Sequence, residues 1–247
     1  MSAADRPDRP GAFREGAGSR GHDEDDVAPR GARDVANTPG AGGGHAAGGW
    51  TPADPGPLGL AAFATTTFML SCANAGILGQ GAKMPNTLPV VLSLAFAFGG
   101  LAQLLAGMWE FRTGNTFGAV AFTSFGAFWL SFFALGQFGY LKELMMQGKT
   151  VEGHALGLYL IAWGIFTAYM FIASLRTTGA IALVFLLLAA TFFVLGFGNY
   201  GGNMDTVKIG GYLGIATAIA AWYGSFAGVA NSTFGRIIAP VIALKRD

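Results

Sequence analysis

Six apolar runs, each close to membrane-spanning length and nearly free of charge, fill the chain from residue 58 to residue 231. A helix rises about 1.5 Å per residue, so about 20 residues cross the hydrocarbon core of a bilayer. The runs read as spanning helices at 58–79, 88–109, 116–138, 154–175, 179–199 and 209–231. They are continuously apolar rather than alternating, which disfavours a closed β-barrel. The breaks at 79–86, 110–115, 142–153, 176–178 and 201–208 carry glycine, proline or charge, and they are too short to hold a soluble domain. The expected fold is therefore all-α: a six-helix transmembrane domain over residues 50–247, preceded by a tail at 1–49.

The tail has the opposite character. It holds six arginines and eight acids with almost no large apolar side chains. Such a segment cannot bury enough surface to offset its ordering entropy and is expected to be disordered. Only 12% of the 247 residues are charged, against about 25% in soluble proteins, and the mean hydropathy is +0.47. The extreme N-terminus lacks the apolar core of a signal peptide, so the first spanning helix is expected to serve as its own insertion signal. Cys72 is the only cysteine, which leaves no intrachain disulfide and no cysteine metal site. A net charge of +1 without a basic cluster gives no sign of nucleic acid.

Six spans place both termini on one side of an inner or plasma membrane. With the N-terminus in the cytoplasm, Arg112, Arg176, Arg236, Lys245 and Arg246 lie inside, and Lys83, Lys142, Lys149 and Lys208 outside. The positive-inside rule thus favours cytoplasmic termini by a narrow margin. The first span opens on Asp54-Pro55-Gly56-Pro57. Pro57 suits a first helical turn, whose N–H groups are free in any case, and Asp54 is a candidate cap for those amides.

Groups for chemistry are scarce. Between Pro55 and Asn199 the acids are Glu110, Glu143 and Glu152, and the one histidine is His154. No nucleophile–base pair, metal cluster, cofactor motif or nucleotide loop is visible, so neither an enzyme nor a bound cofactor is expected. Cation carriers keep a charge in mid-membrane, and none is seen here. A permeant is expected to be small and neutral, or an anion met by dipoles.

Polar side chains instead form stripes at helical spacing. Phe63, Thr66, Thr67 and Asn74 share one face of the first span; Leu188, Thr191, Leu195 and Asn199 share one face of the fifth. Such stripes fit a narrow path gated by apolar collars; they fit hydrogen bonding between helices as well. Glu110, at the end of the second span, sits where the helix dipole disfavours a negative charge. It should have a partner, either Arg112 or a helix N-terminus, and is a candidate for an ion pair or for proton coupling. Two short echoes, 58–60 with 156–158 and 115–118 with 232–235, hint at two three-span halves.

Beyond these patterns, Asp54-Pro55-Gly56-Pro57-Leu58-Gly59-Leu60 resembles the Asn-Pro-Ala-Pro-Leu-Gly-Leu signature of the acetate uptake transporters. The resemblance continues through residues 107–118, 121–130 and 163–167 to Phe234-Gly235-Arg236 and Pro240, covering roughly 54–240. It implies a six-helix protomer assembled as a homo-hexamer. Each subunit would move acetate, in some members succinate, either with protons or as an anion channel. It also implies a constriction at Phe63, Phe125 and Leu188. The substrate would enter near Leu60 and pass Thr66, Thr67, Asn74, Thr191 and Asn199. Two positions depart from the family: Phe125 stands where tyrosine is usual and Asp54 where asparagine is usual, which puts substrate preference in question. A channel for formate, lactate or ammonia, and a membrane sensor or assembly protein acting through its tail, are the alternatives.

Overall fold

The computed structural model describes residues 50, 52–78, 87–138 and 150–244, with the side chains of 150–152 left aside. The tail at 1–49 and its expected disorder lie outside the described residues, as do most of the breaks at 79–86 and 142–153. Six helices are long and apolar enough to cross a membrane, and the chain is a multi-pass membrane protein.

Helix α1 (Gly56–Asn74) begins at Pro55, with Pro57 inside its first turn. Gly56 N donates to Asp54 Oδ1 at 2.9 Å, so the expected capping acid does take up a first-turn amide. The helix ends five residues short of the expected boundary. Gly76 turns the backbone at φ 77°, while Ile77 and Leu78 extend the apolar run past the turn; hydropathy does not register that reversal.

Helix α2 (Thr87–Thr113) runs beyond the expected 109 and stops at Gly114, which adopts φ 79°. Its middle, Ala97–Ala102, is a π-helical turn. Helix α3 (Thr116–Gln137) starts where Asn115 Oδ1 accepts from Gly118 N at 3.1 Å. Helix α4 (Thr150–Ser174) is followed by α5 (Gly179–Tyr200), capped by Thr178. Helix α6 (Met204–Phe234) starts five residues before the apolar run because Asn203 Oδ1 accepts from Asp205 N and Thr206 N. A cap, not the edge of the apolar stretch, sets that boundary.

The tetrapeptides 115–118 and 232–235 do opposite jobs. The first opens α3 and the second closes α6, where Gly235 takes φ 61°. Their likeness does not mark equivalent places in a repeat.

The helices form a ring. Helix α1 packs on α6 and on the π turn of α2, α6 on α5, α5 on α4, and α2 on α3. Between α3 and α4 the closing contacts are aromatic: Phe128 stacks on Tyr159 at 5.8 Å and meets Trp163 at 5.2 Å. In a bilayer, lipid tails are as apolar as the core, so close packing and hydrogen bonds hold helices together. The α1–α6 seam uses both. A Cβ on Gly228 would fall 2.6 Å from Pro57 Cγ. Across the same seam Ser225 Oγ donates to Pro57 O at 2.7 Å, and Trp222 Nε1 donates to Thr65 Oγ1 at 3.2 Å. Residues 236–244 fold back on the same end of the bundle: Gly179 N donates to Ile242 O at 2.6 Å and Tyr223 OH to Pro240 O at 2.6 Å. Large apolar residues such as Ile172, Phe197 and Phe226 cover the outer surface, as a lipid-facing surface requires.

Candidate permeation site

At the centre of the ring lies a cavity of about 20 Å³, room for about one water. Leu60 and Phe63 come to it from α1, Gln103 from α2, Phe122 and Phe125 from α3, and Phe185 and Leu188 from α5. Phe63, Phe125 and Leu188, singled out on three separate helices, therefore surround one space. The Phe63 and Phe125 ring centroids are 5.8 Å apart.

Phe125 is braced on its other sides by Phe166 at 5.5 Å, Trp163 at 6.0 Å and Phe192 at 6.4 Å. Each such pair contributes about 0.5–1.5 kcal/mol beyond area burial, so the ring is held from several directions. No side chain on this wall is charged.

Gln103 was absent from the sequence expectations. Its placement follows from the π turn that precedes it, since one extra residue in a turn rotates everything after it by about 100°. Within that turn Gly99 lets α1 approach: a Cβ there would fall 2.6 Å from Thr66 Oγ1. Gly100 does the same for Leu130 of α3. Helix α2, wedged between α1 and α3, then buries Gln103 to 1% exposure. Its Oε1 has no hydrogen-bond partner among the described residues. The available signal was a lone carboxamide amid an apolar run.

The polar stripes are distributed differently. Thr66 Oγ1 donates to Ala62 O at 2.9 Å, one turn back in its own helix, and faces the π turn. Thr67 is buried, and its hydroxyl has no hydrogen-bond partner among the described residues. Thr191 Oγ1 donates to Leu187 O at 2.8 Å and lies 3.3 Å from Thr217 Oγ1 of α6. Asn199 Nδ2 donates to Leu195 O at 2.8 Å, and half-buried Asn74 ends α1. The structure thus gathers Leu60, Phe63, Phe125 and Leu188 around one cavity. It leaves Thr66 and Thr191 at helix seams, and Asn74 and Asn199 at helix ends.

Glu110 is 2% exposed. Of the two expected partners, Arg112 is not the one: it donates to Trp50 O at 3.1 Å instead. The only ion pair among the described residues is Lys208–Asp205. The carboxylate accepts from Asn115 Nδ2 at 2.9 Å and from Thr113 Oγ1 at 3.2 Å. It also lies against two helix starts, since a Cβ on Gly118 would fall 2.8 Å, and one on Gly56 3.5 Å, from Glu110 Oε1. The positive ends of the α3 and α1 dipoles offset the unfavourable C-terminus of α2. Nearby Asp54, just outside the spans, keeps exposed surface, yet crowding around its carboxyl raises its pKa above the ordinary 3.8 against the lowering bond from Gly56.

Residues 45–246 match the GPR1/FUN34/yaaH family. The chain is 44% identical over 200 residues to acetate permease A of Emericella nidulans, covering 76% of this chain and 65% of that one. It is 42% identical over 194 residues to ammonia transport outward protein 2 of Saccharomyces cerevisiae, covering 78% of this chain and 67% of that one. Among solved structures, the bacterial acetate channel SatP superposes with a TM-score of 0.68 at 34% identity, over 77% of this chain and 99% of that one. The chain therefore spans about two thirds of the length of the fungal relatives. The likeness to acetate uptake transporters seen in the motifs is borne out.

Proposed function

This chain belongs to the GPR1/FUN34/yaaH family, and from that premise we propose that it carries acetate and related short carboxylates, with succinate as a further candidate, across a cell membrane. The observation that carries the reading is the uncharged cavity ringed by Phe63, Phe125 and Leu188 at the centre of six spanning helices. The substrate leaves water near Pro57 and Leu60. It then passes the collar when those three side chains part, and Thr66, Thr67, Asn74, Thr191 and Asn199 supply hydroxyl and amide dipoles along the way. Bare burial of an ion costs many kcal/mol, so dipoles or a proton must accompany a carboxylate. Glu110 is the candidate coupling residue. Protomers assemble as a homo-oligomer, a hexamer by the resemblance, with both termini in the cytoplasm, and the activity is transport rather than catalysis.

Flux of labelled acetate into liposomes holding the purified protein, with and without a pH gradient, tests this reading. Protein-dependent flux is expected. Accumulation driven by the gradient marks proton coupling, and gradient-independent equilibration marks a channel. Flux no greater than in empty liposomes refutes the proposal. A second reading, passage of ammonia, is favoured by the name of the yeast relative and by the apolar wall; competition between ammonia and acetate separates the two.

A further inference from the structure

We propose that the Tyr159 hydroxyl of α4, bonded to Ser131 of α3, is the latch of a seam that opens, and that its release lets α3 draw Phe125 out of the collar. Tyr159 is a positioning residue: it lies off the cavity wall and acts through a ring that it helps to hold. The proposal rests on the transport reading above and names the part of the bundle that moves.

Helices in a bilayer are held by close approach at small residues, and α3 and α4 spend theirs on other neighbours. A Cβ on Gly126 of α3 would fall 2.7 Å from Leu104 N of α2, and one on Gly157 of α4 would fall 2.7 Å from Tyr200 N of α5. Gly118 and Gly136 also face α2, and Gly153 and Gly164 also face α5. No glycine of either helix faces across the seam between them, which is the sparsest in the ring. Large rings bridge it instead. Tyr159, Trp163 and Phe166 share one face of α4 at offsets of four and seven residues, and meet Phe125 and Phe128 of α3. One polar link crosses with them. Ser131 Oγ donates to Phe128 O at 2.8 Å, which leaves Tyr159 OH to donate to Ser131 Oγ at 2.6 Å. Among the described residues, no side chain except Tyr159 and its partner Ser131 hydrogen bonds across this seam.

Part of the ring must move for a solute to pass, because the closed cavity has room for about one water. The Phe125 ring stands between Phe63 on one side and Trp163 and Phe166 of α4 on the other. Flanked in this way it cannot swing aside alone, and it leaves the collar with its helix. Helix α3 is bound to α2 at Gly126, whereas α4, α5, α6 and α1 are bound to one another in turn at Gly157, Gly210 and Gly228. The α2–α3 hairpin therefore moves as a unit against the other four helices. It pivots where α2 meets α1, at the π turn, and parts at the aromatic seam. The hydrogen bond of Tyr159 is what that parting must break. A single neutral bond is weak enough to break and re-form in every passage.

Flux of acetate and of a bulkier acid into liposomes holding the full chain, read beside thermal unfolding in detergent, provides the test. Tyr159→Phe keeps the ring and leaves Ser131 its bond to Phe128 O, so no polar group is stranded. It is expected to raise the flux of both acids by the same factor, about two- to threefold, or about 0.4–0.7 kcal/mol. Its unfolding temperature should stay level or fall slightly. Equal factors mark a change in how often the collar opens. A changed ratio between the two acids reassigns Tyr159 to the filter and overturns the latch, as does flux at or below the native level. For the motion itself, Ser131→Cys and Tyr159→Cys are combined in a Cys72→Ala chain and joined by a short bis-methanethiosulfonate reagent. Joining is expected to stop flux and a reductant to restore it, while the two single-cysteine chains treated alike keep theirs. Joined chains that carry acetate at the unjoined rate overturn the motion. Native protein giving no acetate flux refutes the transport reading itself, a result distinct from all of these.

Discussion

Replacing Leu188 with alanine should open the collar. Leu188 is 4% exposed and lies on the cavity wall. Truncation removes three carbons beside a space of about 20 Å³. The enlarged space approaches the volume of about four heavy atoms, the size of acetic acid. In the native chain a permeant must push Leu188 off its packed rotamer, at about 0.5–1.5 kcal/mol. Deleting that barrier raises acetate flux about two- to tenfold, at roughly 1.4 kcal/mol per factor of ten. The same truncation costs stability. Leucine-to-alanine changes in cores cost about 2–5 kcal/mol, and in a lipid-facing bundle, where the transfer part fades, about 2 kcal/mol is expected. The assay is flux of acetate and of a bulkier acid into liposomes, paired with thermal unfolding in detergent. Leu186→Ala, two residues away on the opposite face of α5 and 49% exposed on the outer surface, is the matched control and should leave flux unchanged. If Leu188→Ala folds and carries both acids at the native rate, Leu188 does not gate the path.

Three further outcomes follow from the geometry. Thr191→Val and Thr217→Val should couple by about 0.6 kcal/mol in a double-mutant cycle of unfolding, the usual scale for such contacts in membranes; a coupling of zero would mean that the 3.3 Å approach of the hydroxyls is not an interaction. Gly118→Ala drives a Cβ to 2.7 Å from Glu110 Cδ and 2.6 Å from Asn115 Nδ2, and should cost about 1–3 kcal/mol. Glu110→Ala in the same background should relieve part of that strain, so strictly additive losses would refute the contact. Crowding raises the Asp54 pKa, so its stabilising contribution is full below the ordinary 3.8 and is lost as pH rises through the raised value. Asp54→Asn should therefore gain stability over the native chain across that rise, by thermal unfolding against pH. Identical pH profiles would rule the effect out.

The span count and span positions were legible because crossing a membrane depends on a segment's own length and composition. Helix ends were less so. Gly76 stops α1 inside an apolar run, and Asn203 starts α6 before its run begins. Both depend on backbone geometry that average hydropathy does not register. The motif resemblance carried the family and pointed to Phe63, Phe125 and Leu188, which the fold then brought around one cavity.

The place of Gln103 on the cavity wall could not be read from the chain, because it depends on a π turn wedged between α1 and α3 by Gly99 and Gly100. Nor could the pairing of Thr191 with Thr217, or the choice of Asn115 and two helix starts over Arg112 as neighbours of Glu110. In a soluble helix the polar face marks the water side. Here lipid and protein core are equally apolar, so composition tells a helix that it must cross, while the direction of each side chain is decided only by register and close packing against its neighbours.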